Sequence, residues 1–240
     1  MLGLGNSISL SSAPSAAPVV GEIAPDNLKI WLKRGTGQTS SGGKISNWAD
    51  SSGNSNNFFQ TTETSKPSIS GDEVDFNDTD NFLFINLAQG TQSFGAFTFM
   101  HILNPNESVT LDDEFIFGVG SQDGLIIYKD ENNSRIAINK NDSSTIVNLS
   151  SSFPVGDNDF LLTTTRDSSG NIAVRINKTQ LGTATSNISN LFDLLSIGLA
   201  TSGSDTSYSG QINEVVVYNT NLTGSDLTNA ENDIMNRSGI

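Results

Sequence analysis

The chain has 240 residues, no cysteine and a formal net charge of −14 at neutral pH, with an isoelectric point near 4.2. A surface that acidic repels phosphate backbones and sets nucleic acid aside as a partner, and without cysteine there are no disulfides or thiolate metal sites. No apolar run approaches the ~18 residues a membrane-crossing helix needs, while 22 Gly and 13 Phe against 2 Trp and 3 Tyr suit many short strands joined by turns.

Residues Met1 to Val20 (MLGLGNSISLSSAPSAAPVV) differ from the rest, and no charge occurs before Glu22. There is neither a basic start nor a continuous apolar core, so a secretory signal is not expected. Leu2, Leu4, Ile8 and Leu10 are spaced along an uncharged arm able to lie in a groove or add a strand to a neighbour. Packing against its own domain and a flexible tail are the alternatives.

Leu28 to Lys33 alternates, which predicts a strand with Leu28, Ile30 and Leu32 on one face. Gly42-Gly43 marks a turn, Ile45 to Trp48 a strand, and Asp50 to Phe58 (DSSGNSNNF) a polar loop. Val74–Phe76 and Phe82–Ile85 flank the turn-forming NDTDN at 77–81. Gly95 to Leu103 reads as a central strand, with Phe97, Phe99, His101 and Leu103 on one face and Thr98, Met100 and Ile102 on the other. Further strands are expected at Glu114–Val119, Leu125–Tyr128, Arg135–Asn139, Thr145–Leu149 and Leu194–Ala200, with a turn at Gln122-Asp123-Gly124. Phe160–Arg166 and Ile172–Ile176 form a hairpin around Asp167–Asn171, and Asn177-Lys178 turns into Thr179–Leu181. Gln211 to Tyr218 is a last strand rich in β-branched residues. A helix follows, with Thr223 as N-cap, Asp226 in the capping-box position, Leu222 and Leu227 as a hydrophobic staple, an apolar stripe of Leu227, Ala230, Ile234 and Met235, and Gly239 just beyond the end.

Two of these segments carry a family resemblance. Gly210, Ile212, Glu214, Val215, Val217, Tyr218, Asn219, Leu222, Glu231, Arg237, Gly239 and Ile240 stand where laminin-G-like jelly rolls of the concanavalin A lectin/glucanase superfamily have their closing strand, helix and tail. Trp31 to Asn57 resembles the same family's opening, LWLDA…GGxVSxWxDxSGNxNN, although Lys33 stands where Asp is common. Lys66-Pro67-Ser68 and Val74–Ile85 resemble intermediate steps. The resemblance implies an all-β, two-sheet antiparallel jelly-roll sandwich with a short C-terminal helix, occupying residues 25–240 behind an extended arm at 1–24. MLGLGNS in turn resembles the opening of phage structural proteins.

Candidate chemistry is sparse. Glu73-Val74-Asp75 resembles the E-x-D-x-E strand of laminarinase-like glucanases, in which period-2 alternation puts carboxylates on one face. Here Asn77 fills the last position and cannot act as a general acid. His101 is the lone histidine, and among Phe97, Phe99 and Leu103 it reads as a core residue. Asp50, Asn54 and Asn57 offer oxygens for calcium or, alternatively, for an Asx-turn loop held by its own side chains; NDTDN and Leu111–Glu114 pose the same choice. For carbohydrate, the rings beyond Phe are Trp31, Trp48, Tyr128, Tyr208 and Tyr218, of which Tyr208 is the freest. The expectation is therefore a non-enzymatic virion protein (a head-decoration, neck or tail-fibre component), with no catalytic, cofactor or metal residues assigned. Its arm, residues 1–24, would bind other virion proteins. The alternative is a carbohydrate-binding module for cell-surface glycans, with calcium as an optional aid.

Overall fold

The computed structural model describes residues 16–77, 81–85, 92–105, 113–119, 123–128, 135–140, 143–151, 154, 158–186, 192–194, 196–198 and 208–240. Residues 1–15 of the expected arm lie outside them. The strands in chain order are β1 (Leu28–Leu32), β2 (Gln38–Ser41), β3 (Lys44–Trp48), β4 (Phe58–Phe59), β5 (Ser68–Ser70), β6 (Glu73–Asn77), β7 (Leu83–Ile85), β8 (Gln92–Phe94), β9 (Phe97–Pro105), β10 (Asp113–Val119), β11 (Asp123–Tyr128), β12 (Arg135–Lys140), β13 (Ser143–Asn148), β14 (Phe160–Arg166), β15 (Asn171–Ile176), β16 (Thr179–Thr185), β17 (Phe192–Leu194), β18 (Ser196–Ile197) and β19 (Ser209–Tyr218), followed by the helix α1 (Gly224–Ser238).

They form the expected two-sheet antiparallel jelly-roll sandwich. The first sheet runs β1–β19–β9–β14–β15–β16, with β6 beside Ser209–Gln211 of β19 and β1 beside Val215–Tyr218. The second runs β2–β3–β4–β7–β18–β10–β11–β12–β13. Strand β5 pairs with both β3 and β6 and joins the layers along one side. β8 and β17 make a small sheet of their own.

Between the sheets lies a core in which Trp48, Phe58, Phe76, Phe97, Phe99 and Phe160 are buried. Each such side chain contributes about 2–3 kcal/mol on leaving water. Gly198 marks how closely this core is packed: its φ is +86°, and a Cβ there would sit 2.3 Å from the Phe76 ring. Strand β9 is apolar on both faces because both are covered; Phe97, Phe99 and Leu103 point into the core, while Met100 and Ile102 point to the outer face of the first sheet.

That outer face carries α1. Val20, Ile23, Leu28, Trp31, Leu222, Ala230 and Ile234 form a second buried cluster beneath and beside the helix. Val20–Glu22 is a short 3-10 turn, tied down by Tyr218 Oη donating to the Val20 carbonyl at 2.9 Å and the Val20 amide donating to Asp233 at 2.8 Å. Buried charges fix the helix over the sheet. Glu214, on β19, accepts from Trp31 Nε1 at 2.8 Å and from Arg237. Glu231 takes a two-pronged bond from Arg175 at 2.8 and 3.0 Å. Arg237 also reaches Asp233, and its guanidinium stands 5.1 Å from the centre of the Trp31 ring.

Three local expectations are corrected. Leu28 does not share a face with Ile30 and Leu32: Leu28 pairs with Tyr218 and Ile30 with Val217, so Lys29 is an extra residue, a β-bulge, that turns Leu28 toward α1. Thr223 is the N-cap residue of α1 by backbone geometry but makes no side-chain cap bond. The strand expected over 194–200 is divided, with Leu194 in β17 and Ser196–Ile197 in β18.

Candidate functional site

The Asp50 loop is a structural staple. Asp50 Oδ1 accepts from the amides of Trp31 (2.8 Å) and Ser52 (2.9 Å), and Oδ2 from Ser52 Oγ (2.7 Å) and the Asn56 amide (2.9 Å). Asn57 Oδ1 accepts from the Asp50 amide at 2.8 Å. The bulge at Lys29 leaves carbonyls without strand partners, and this loop supplies them. Asn54 Nδ2 donates to the Leu28 carbonyl at 2.7 Å, and Asn56 Nδ2 to that of Lys29 at 2.8 Å. The Asp50 and Asn57 oxygens weighed for calcium thus accept from backbone amides and the Ser52 hydroxyl, and the side-chain amide nitrogens of Asn54 and Asn56 answer backbone carbonyls. Among the described residues no three His, Asp or Glu side chains converge to hold a metal ion. Asp78–Asp80 of NDTDN lie outside the described residues, as do Leu111, Asp112 and the side chains of Asp113 and Glu114.

Glu73 and Asp75 alternate with the buried Val74 and Phe76, as period 2 requires. Their partners differ. Gln211 Nε2 donates to Glu73 at 3.3 Å, and Arg34 lies 3.8 Å away. Arg34 also bonds to Asp72 at 2.9 Å and to Asp159. Burial works against its charge, but the bonds and charges of Asp72 and Asp159 raise its pKa above the usual arginine value. Burial pushes the Asp75 carboxyl up, while a hydrogen bond from Ser68 works the other way. His101 lies fully buried with Phe97, Phe99 and Leu103, and burial lowers its pKa to about 3, so it is neutral at physiological pH.

The rings singled out for carbohydrate are mostly structural. Trp48 is buried and donates Nε1 to the Lys33 carbonyl at 3.1 Å; Trp31 and Tyr218 serve the helix cluster. The side chain of Tyr128 lies outside the described residues. Tyr208 is not free: it is buried, edge-on to Phe76 at 6.4 Å, with its amide bonded to the Gly198 carbonyl at 2.8 Å.

The rings that do face outward are phenylalanines. Phe58 and Ile85 are buried in the core, so their neighbours Phe59 and Phe84 point away from it, half-buried, on the outer face of the second sheet. The two are register partners with centroids 4.3 Å apart, and Phe82 adds a third ring 5.9 Å from Phe84. The register row runs Thr39–Asn47–Phe59–Phe84–Ser196–Gly118–Gly124. The aromatic pair therefore has the Asn47 amide and the Thr39 hydroxyl on one flank, while Ser196, Gly118 and Gly124 on the other are buried. Recurrent phenylalanine (FF at 58–59, FLF at 82–84) was the available signal, but strands of two and three residues carry too little periodicity to show which ring faces out.

No protein-family model matches the chain, and no curated protein matches it. Solved structures do. Domain 4 of AbnA, an extracellular arabinanase of Geobacillus stearothermophilus in complex with arabinotriose, superposes with a TM-score of 0.61 at 14% identity, over 88% of this chain and 98% of that one. Trypanosoma rangeli sialidase in complex with sialic acid gives 0.59 at 15%, over 87% of this chain and 33% of the other. Botulinum neurotoxin type C, whose cell entry depends on two ganglioside molecules, gives 0.55 at 17%, over 88% and 52%. At these identities the likeness is one of fold, a β-sandwich domain.

Proposed function

We propose that this chain is a non-enzymatic glycan-binding module whose binding face is the outer surface of the second sheet at Phe59 and Phe84. One observation carries the reading: two outward, half-buried rings 4.3 Å apart stand in one register row with the accessible side chains of Asn47 and Thr39. A sugar ring has an apolar C–H face and a rim of hydroxyls. The face lies on an aromatic ring, and the rim meets polar side chains such as the Asn47 amide and the Thr39 hydroxyl. Arabinotriose, sialic acid and gangliosides, with which three of the similar proteins interact, support the ligand class. The structural partners of Glu73 and Asp75 support a binding rather than a hydrolytic role. A glycan array probed with the full chain, followed by calorimetry on the best ligand, tests this. Phe59→Ala/Phe84→Ala should weaken binding at least ~tenfold, or ~1.4 kcal/mol, with an unchanged circular dichroism spectrum. Retention of no glycan, or an unaltered affinity in the double variant, refutes it.

A second reading places this module on a bacteriophage particle, with residues 1–19 of the expected 1–24 arm docking on other virion proteins, since Val20–Ile23 pack into the cluster beside α1. The uncharged run from Met1 to Gly21 favours it. Deleting Met1–Val19 should abolish incorporation into particles while glycan binding persists; normal incorporation of the truncated chain refutes this role.

A further inference from the structure

The outer face of the first sheet is not wholly covered by α1. Beyond the helix, across β14, β15 and β16, lies an open cavity of about 320 Å³. Its floor is the register row Thr165–Ala173–Thr183, in which alanine sits between two threonines and creates the depression. The Asp167–Asn171 turn closes one end, and Asn221 from the segment before α1 contributes to the lining.

Both walls are fixed in advance. Gly170 has φ +85°, and a Cβ there would lie 2.6 Å from the Ser186 carbonyl oxygen; the Ser186 amide donates to the Gly170 carbonyl at 2.7 Å, clamping the turn to the end of β16. Asp167 accepts from the amides of Ser169 and Asn171 and from the Asn171 side chain. On the other side, Thr98 Oγ1 donates to the Thr220 carbonyl and accepts from the Leu222 amide, both at 2.8 Å, and so holds Asn221 between them.

The cavity has unused polar groups. Thr165 lines the cavity and is 7% exposed, yet its hydroxyl makes no hydrogen bond among the described residues. Thr183 and Asn221 also line it, and neither side chain makes a hydrogen bond among the described residues. Two hydroxyls, an amide and a fixed carboxylate with spare lone pairs match a compact polyol. Among the described residues no lysine or arginine lines the cavity, and the carboxylate belongs to a chain of net charge −14, so an anionic sugar is disfavoured. The volume sits at the small end for ligand sites, room for one or two sugar rings rather than a longer chain.

We propose that this cavity is a second sugar site, selective for neutral over acidic sugars, on the opposite face of the sandwich from Phe59 and Phe84, which makes the module bivalent. The proposal rests on the glycan-binding reading above but engages different residues, so the two can fail separately. The test is amide chemical-shift titration of the full chain with arabinotriose and, in parallel, with N-acetylneuraminic acid. Arabinotriose should produce saturable shifts at Thr165, Ala173, Thr183 and Asn221, and the acidic sugar should not. Thr183→Val keeps a strand-compatible shape and removes one hydroxyl; it should weaken these shifts about fivefold. Ala173→Phe should fill the floor and abolish them, leaving any shifts around Phe59 and Phe84 intact. Shifts confined to the phenylalanine face overturn the second site alone. Cavity shifts that persist in Ala173→Phe overturn it as well, and equal response to the acidic sugar overturns the selectivity. No response at either face, together with an empty glycan array, overturns both readings.

Discussion

The buried charge cluster under α1 supports a quantitative prediction. In Arg237→Met the aliphatic stem remains and the guanidinium goes. Glu214, 1% exposed at its side chain, then keeps only the Trp31 indole as a donor. Removing one partner of a buried ion pair costs about 3–5 kcal/mol, and losing the cation over the Trp31 ring adds about 0.5–1. Arg237 is 23% exposed at its side chain, so water offsets part of that loss, and the expected cost is about 3 kcal/mol. For a chain of this size it corresponds to a fall of roughly 6–12 °C in the unfolding midpoint. Adding Glu214→Gln removes the stranded charge while leaving an oxygen for the Trp31 indole, so the double variant should recover about 1–2 kcal/mol. Urea unfolding followed by tryptophan fluorescence measures the stabilities, and amide exchange at Val20–Ile23 reports the local loosening, because Asp233 holds both Arg237 and the Val20 amide. A single variant within about 1 kcal/mol of the parent, or a double variant less stable than the single, refutes the stranded-charge reasoning.

Two further predictions concern residues that looked functional in the sequence. His101 has a folded pKa of about 3 against an ordinary 6.5, so below pH 6.5 the unfolded chain binds a proton that the folded chain refuses. Stability present above pH 6.5 is therefore lost as pH falls toward 3, by about 2–3 kcal/mol at pH 4.5; His101→Leu should remove this component, and equal acid sensitivity of parent and variant in urea unfolding at pH 7 and 4.5 refutes it. Asp50→Ala should destabilise by at least ~2 kcal/mol, since it leaves the Trp31 amide without its charged acceptor; chelator should leave the parent's unfolding midpoint unmoved, and a drop on chelation overturns the closed-loop account.

Much of the fold was legible because its signals are local. The strand at 211–218, the staple residues Leu222 and Leu227, and Gly239 with φ +75° at the helix end each depend on neighbours within a few positions. What escaped depends on distant ones. Glu214 and Arg237 stood out only as positions in a resemblance, because the indole that Glu214 accepts from lies 183 residues away. The bulge at Lys29 has no periodic signature. It is stabilised by Asn54 and Asn56, whose amides answer the carbonyls it exposes, so a loop rich in ligand-type residues is explained by a backbone irregularity elsewhere. Tyr208 sat in a Gly/Ser-rich stretch, yet Gly198 draws it into the core.

The candidate sites were hidden for the same reason in a stronger form. The phenylalanine face takes its rings from strands of two and three residues, and the cavity floor takes one residue from each of three strands. Neither is a motif along the chain; each is a row across a sheet, created by register. Of the residue types that drew notice for chemistry, the lone histidine is buried in the core, the Asp50 loop staples the bulge at Lys29, and the Glu73–Asp75 pair has separate partners at the sheet edge. The outer faces were built from Phe, Thr, Ala and Gly, which signal nothing one at a time. For the proposed binding module this division is physically reasonable. Charged groups cost most to bury and, once paired there, are costly to strand, whereas a weak, open sugar site needs only a ring and a few polar groups beside it.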